Sequence, residues 1–393
     1  MLESKYVDVS KLTFETTKKF RKYLKRLIEL GGSDVHLKAG SVVRGRVHGE
    51  IIPLSSEVIT RQEALTLAKE LLRTRFDELV ENKDIDFTYI YNEQIRFRGN
   101  LFFQINGISG VFRVIPTDIK SIDELGLPLT LHKITQIPRG LVLVTGVTGS
   151  GKSTTLAALI DEINSTRKEH IITIEDPVEF VHQDKKSIIN QRNIGQDAKS
   201  FSRALKAALR EDPDVILVGE MRDLETIEMA LHAAETGHLV FSTLHTLDAK
   251  ETINRIVSVF PPEEQNRIRM ILASVLEAVI SQRLVRKKSG GRIAAVELLL
   301  KTKRIESIIA EGRDLEITEA IEEGKIYGMQ TFDQALLDLY KRGLIDMDTA
   351  LENATSPSDM KLAIKGIVTS SAQEVQNVNV KLDDGIIDLK EEP

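Results

Sequence analysis

Residues 146–153 read Gly146-Val147-Thr148-Gly149-Ser150-Gly151-Lys152-Ser153 and fit the spacing G-x-x-x-x-G-K-[ST]. The glycines let the backbone curl so that successive N–H groups face an anion, and a following helix adds the positive end of its dipole. The pattern predicts a cradle for the phosphates of ATP, completed by Thr154. Lys152 would bridge the β- and γ-phosphate oxygens, and Ser153 would coordinate Mg²⁺. Position makes the match specific: an apolar strand, 141–145, runs straight into the loop, and Thr154-Thr155-Leu156 opens a helix directly after it.

Three further apolar strands carry polar residues at an end. Val215-Ile216-Leu217-Val218-Gly219-Glu220 is a buried strand closing on an acid, which reads as a Walker B element with Glu220 beside Mg²⁺ and the attacking water. An ordinary acid at a strand end is the alternative, and the phosphate loop upstream weighs against it. Ile171-Ile172-Thr173-Ile174-Glu175-Asp176-Pro177 runs into acids at its carboxyl end, the edge where open α/β sheets bind ligands. The strand 239–244 is flanked by His238 and His245. Taken singly, each histidine reads as structural at least as readily as catalytic. Neither has the spacing of a metal pair, so zinc is rejected.

These segments need a scaffold. Four continuous apolar runs (141–145, 171–175, 215–219 and 239–244) alternate with helices such as 154–164 and 202–211, the signature of a parallel sheet covered on both faces. Residues 129–366 therefore form an α/β unit, with helices continuing to about Lys365. Upstream, short strands at 34–37, 42–49, 86–91, 95–104 and 110–115 surround a helix capped by Thr60, giving a compact α+β unit over 31–115. Residues 1–30 form a basic amphipathic helix stopped by Gly31-Gly32, whose apolar stripe packs on its own domain or docks on a membrane or partner. The stretch 116–128 is the linker. Residues 367–393 hold six acids and two lysines with no aromatic residue, an acidic tail expected to be disordered.

The 393 residues, 41% apolar and 28% charged, suffice for two domains with full cores. The absence of cysteine removes disulfides, thiolate metal sites and cysteine nucleophiles. A net charge of −6 disfavours a nucleic-acid partner. No apolar run approaches the roughly 20 residues of a membrane span, and no signal segment opens the chain, so the expected location is cytoplasmic with membrane contact peripheral.

Together the segments resemble the secretion-type ATPases of the RecA-like class, and most closely the type IV pilus retraction ATPases of the PilT and PilU branches. The specific part is the set Ile174-Glu175-Asp176-Pro177, Glu211-Asp212-Pro213-Asp214 leading to Val218-Gly219-Glu220-Met221-Arg222-Asp223, and Gly237-His238 through His245-Thr246. Ser33-Asp34-Val35-His36-Leu37 resembles the opening of the family's N-terminal domain. The resemblance implies a RecA-like P-loop ATPase domain preceded by a small PAS-like α+β domain. It also implies a homo-hexamer at the cytoplasmic face of the inner membrane, at the pilus base, acting on a platform protein. Glu175 and Glu220 carry over as acids around water and Mg²⁺, and His245 as a residue responsive to the γ-phosphate, with His238 in support. Arg96, Arg98 and Arg113 carry over as arginines sent to the nucleotide; without the resemblance they read as a solvated strand face.

The C-terminal region departs from PilT. Where PilT has a characteristic Ala-Ile-Arg-Asn-Leu helix, this chain has Lys303-Arg304-Ile305-Glu306-Ser307-Ile308-Ile309, whereas Gly328-Met329-Gln330-Thr331-Phe332 and its continuation resemble PilU. An accessory motor working with a PilT-type paralogue is thus one reading. Against retraction stand a pilus extension or type II secretion ATPase, a nucleic-acid motor, and a nucleotide-gated module without turnover. The missing cysteines speak against the first, the acidic balance against the second, and the intact Lys152, Glu175 and Glu220 against the third.

Overall fold

A computed structural model describes residues 7–92, 95–115 and 119–366. The 367–393 tail and part of the 116–128 linker lie outside the described residues.

Alternating polar and apolar residues build the first sheet. Its strands are β1 (Asp34–Lys38), β2 (Ser41–Val47), β3 (Glu50–Ile59), β4 (Asp84–Ile90), β5 (Arg96–Gln104) and β6 (Gly107–Ile115). They pair antiparallel in the order β3-β2-β1-β6-β5-β4. Two helices cover one face, Glu15–Glu29 and Arg61–Leu72. Phe20, Leu24 and Leu27 of the first and Leu67 of the second are buried with Phe97 and Phe112 of the sheet. The stripe that the sequence offers for docking is thus engaged by the domain's own core. Thr60 and Glu63 form a reciprocal capping box on the second helix. Gly32 is required where the chain leaves the first: a Cβ there would stand 2.4 Å from Leu27 Cδ1.

The second sheet contains β7 (Gly140–Thr145), β8 (His170–Glu175), β9 (Ile188–Asn193), β10 (Val215–Val218), β11 (Leu239–Leu244), β12 (Leu276–Arg286) and β13 (Arg292–Leu300). Their order is β13-β12-β7-β11-β10-β8-β9. All neighbours run parallel except the β12–β13 hairpin. Helices pack on both faces, which is why β7, β10 and β11 are buried at every residue. Ile122 and Leu127, within the stretch read as a linker, are buried in this domain's core. The C-terminal helices Phe332–Lys341, Met347–Asn353 and Pro357–Ile364 pack on the hairpin through Val285, Ala295, Leu336 and Met360. Arg283 fastens them, stacking 3.9 Å from the Phe332 ring centroid and donating to Asn353 O at 2.8 Å.

The two domains meet where Asn193 Nδ2 donates to Thr88 Oγ1 at 3.3 Å and where Ile115 packs with Val178 and Val181. Among the described residues, no helix is long and apolar enough to cross a membrane.

Candidate functional site

The carboxyl ends of β7, β8, β10 and β11 open into one cavity of about 600 Å³. Parallel pairing places all four ends on the same edge, so segments far apart in sequence become neighbours. Thr148, Gly149, Gly151, Lys152, Ser153 and Thr154 form one wall. Glu175, Glu220 and His245 stand at the other strand ends, and Arg98 reaches in from β5 of the same chain.

The loop has the backbone that its glycines allow, with φ of 138° at Gly146, 80° at Gly149 and 93° at Gly151. Lys152 is 9% exposed, and its Nζ donates to Gly146 O at 2.7 Å and Val147 O at 3.1 Å. Burial lowers its pKa below the usual lysine range, although Glu179 and Glu220 act against the shift. Within the loop Gly146 and Ser150 are buried, whereas Val147 is exposed.

The two acids have different surroundings. Burial pushes the Glu175 carboxyl up to about 7, even though Thr173 Oγ1 donates to it at 2.7 Å. Gln191 lies behind it, donating to Phe180 O at 2.8 Å and reaching Glu175 Oε1 at 3.5 Å. Glu220 is instead paired: Arg222 is 2.6 Å from one carboxylate oxygen and His245 Nε2 is 3.6 Å from the other. Thr243 Oγ1 donates to Gly219 O at 2.6 Å, tying the β10 and β11 ends together.

Three expected residues are not brought to this cavity. His238 precedes β11 at its amino end, a strand length from His245, and its Nδ1 lies 2.9 Å from Ala233 O. Arg113 stands directly opposite Arg98 in the ladder but bonds Asp34 Oδ1 at 2.7 Å. Burial pushes Asp34 up; Ser33 and Arg113 outweigh it and leave the carboxyl below its usual range. Arg96 is two residues from Arg98 on β5, outside the cavity wall. The sequence reading also passes over two cavity arginines. Arg222 was legible, two residues after Glu220, while Arg292 arrives on the unread β12–β13 hairpin.

Ser153 and Glu220 give the cavity one hydroxyl and one carboxylate suited to Mg²⁺, which takes one or two protein oxygens beside phosphates and water. A parallel sheet with a P-loop on its first strand and acids on the neighbouring ends defines a RecA-like P-loop ATPase.

The profile of the type II/IV secretion system protein family matches residues 15–297. The type IV pilus retraction ATPase PilT of Pseudomonas aeruginosa is 47% identical over 333 residues, 84% of this chain and 96% of that protein. The ATPase PilU of the same organism is 40% identical over 351 residues, 88% of this chain and 91% of that protein. The type II secretion system protein E of Xanthomonas campestris is 34% identical, and the match spans 67% of this chain but 47% of that protein. The crystal structure of the retraction motor PilT with bound ADP superposes with a TM-score of 0.80 at 45% identity, covering 87% of this chain and 98% of that one. The chain belongs to the type II/IV secretion ATPase family and, within it, to the type IV pilus retraction ATPases.

Proposed function

We propose that this protein is the ATP-hydrolysing motor of type IV pilus retraction, working as a homo-hexamer against an inner-membrane platform protein at the cytoplasmic face of the pilus base. The observation that carries the reading is the convergence of Lys152, Glu175, Glu220, His245 and Arg98 on one cavity. The near-complete overlap with PilT, against about half of a type II secretion ATPase, favours retraction over secretion. The PilU-like stretch after Gly328 and the comparable overlap with PilU support a role beside a PilT-type paralogue.

The chemistry follows from the side chains. Lys152 is released from the loop carbonyls to neutralise the transferring phosphoryl group, with the loop N–H groups holding its oxygens. Ser153 and Glu220 would hold Mg²⁺, which would supply further charge neutralisation. Glu175, its pKa near 7, accepts the proton of the attacking water. His245 reports the state of the γ-phosphate to Glu220, from which it stands 3.6 Å. Arg98 draws the N-terminal sheet toward the anion, and hydrolysis removes that attraction, so the cleft between domains reopens.

Deletion of the gene tests the assignment. Piliated cells that no longer translocate across surfaces are expected. Bald cells would instead identify an extension ATPase, and unchanged movement would remove the motor role.

A further inference from the structure

β12 runs beside β7 and carries a residue that the chemistry above does not use. Gln282 is 2% exposed and lies under the phosphate loop. Its Nε2 donates at 2.8 Å to Thr155 Oγ1, in the first turn of the helix that follows the loop. Its backbone oxygen would be 2.5 Å from a Cβ on Gly146, and Ser150 Oγ 2.6 Å from the same point. Gln282 and Ser150 are therefore neighbours across Gly146, and only glycine fits between them.

Both have an unanswered polar atom. Gln282 Oε1 and Ser150 Oγ are buried and have no protein hydrogen-bond partner among the described residues. Such atoms are disfavoured in a folded protein, because a buried polar group without a partner forfeits its hydration. Here the Gln282 backbone oxygen and the unpaired Ser150 hydroxyl both stand against Gly146, and the unpaired amide oxygen belongs to the same glutamine. In the same conformation Lys152 is turned onto the carbonyls of Gly146 and Val147. The loop thus holds its own cation while leaving two other polar groups unmatched.

We propose that Gln282 is a positioning residue for the phosphate loop. Its amide nitrogen anchors Thr155, and its amide oxygen receives the Ser150 hydroxyl when the loop closes on a nucleotide. The inference rests on the reading of the cavity as the nucleotide site. It makes the loop's closed form self-consistent, so part of the nucleotide affinity originates on a residue outside the cavity wall.

ADP affinity and the melting temperature of the nucleotide-free protein test it, measured on the full chain, Gln282→Met, Ser150→Ala and the double variant. Gln282→Met is expected to weaken ADP about tenfold, the effect of one lost hydrogen bond in a buried site. Ser150→Ala is expected to weaken ADP severalfold while raising the nucleotide-free melting temperature by about 2–4 °C, because it removes an unpaired buried hydroxyl. In the Gln282→Met background, Ser150→Ala should cost nothing further. Unchanged ADP affinity in folded Gln282→Met, or additive losses, would overturn the proposal. A lower melting temperature for Ser150→Ala would do the same, and that arm holds even if Gln282→Met does not fold. A native chain that fails to bind ADP would overturn the nucleotide reading itself, and this inference with it.

Discussion

Strands β4 and β5 of the first sheet alternate buried with exposed positions, whereas β7, β10 and β11 of the second are buried at every residue. A strand covered on both faces cannot present a polar side chain from its middle without burying it, so function moves to the ends, where the chain leaves the sheet. Lys152, Glu175, Glu220 and His245 all follow strand ends or close them. A half-covered sheet is free to present polar groups mid-strand, as it does with Arg98. The first arrangement fixes chemistry at the strand ends; the second lets a mid-strand side chain reach a cavity built by the other domain.

The comparison breaks most clearly at the loop. Lys152→Ala is expected to lower ATP turnover by about 10³-fold, because it removes the cation at the transferring phosphoryl group. Turnover near the native value in a folded variant would remove the strand-end site. Next comes Glu220→Gln, which keeps shape and loses charge: hydrolysis should fall by about 10²-fold while ATP still binds. A parallel loss of binding would make Glu220 a structural acid.

Glu175 sharpens the distinction through pH. A buried carboxyl held near 7 is protonated below that value and cannot accept a proton, so turnover should fall as pH drops through 7. The Glu175→Gln variant should be slow and lack this acid limb. Persistence of the limb in that variant would assign the titration elsewhere. The first sheet should yield the smallest effects. Arg98→Ala is expected to slow hydrolysis about tenfold with the melting temperature unchanged, whereas Arg113→Ala should chiefly lower the melting temperature, because Asp34 loses its guanidinium partner. Mixed assemblies of Lys152→Ala and Arg98→Ala chains should show no more than the residual rate of the Arg98→Ala chains alone, since Arg98 lines the cavity of its own chain. Recovery of activity would show the arginine acting between chains.

The four central strands were legible because continuous apolar runs have one explanation in an α/β chain, and the loop was legible because its glycines are obligatory. The edges were not. β9, Ile188-Ile189-Asn190-Gln191-Arg192-Asn193, has too few apolar residues to announce a strand and gains its identity by pairing with β8. β12 follows a helix with similar apolar content, and its extended form is set by β7 and β13 on either side. Gln282 and Arg292 were hidden with it. Arginine alternation on β5 and β6 predicted a shared polar face, but only the packing of the two domains decides that Arg98 and not Arg113 enters the cavity.

The strand order also governs how the protein is made. β7 takes β11 as one neighbour and β12 as the other, and β12 begins about 130 residues after β7 ends. At ribosomal speeds of about 5–20 residues per second, the central strand leaves the ribosome roughly 7–26 s before its second neighbour exists. The first sheet, complete by Ile115, closes on itself early; the second holds an unpaired apolar edge until late in translation. Its phosphate loop, with Gln282 beneath it, is therefore among the last features to take shape, and nascent chains halted before β12 lack the support on which that loop rests.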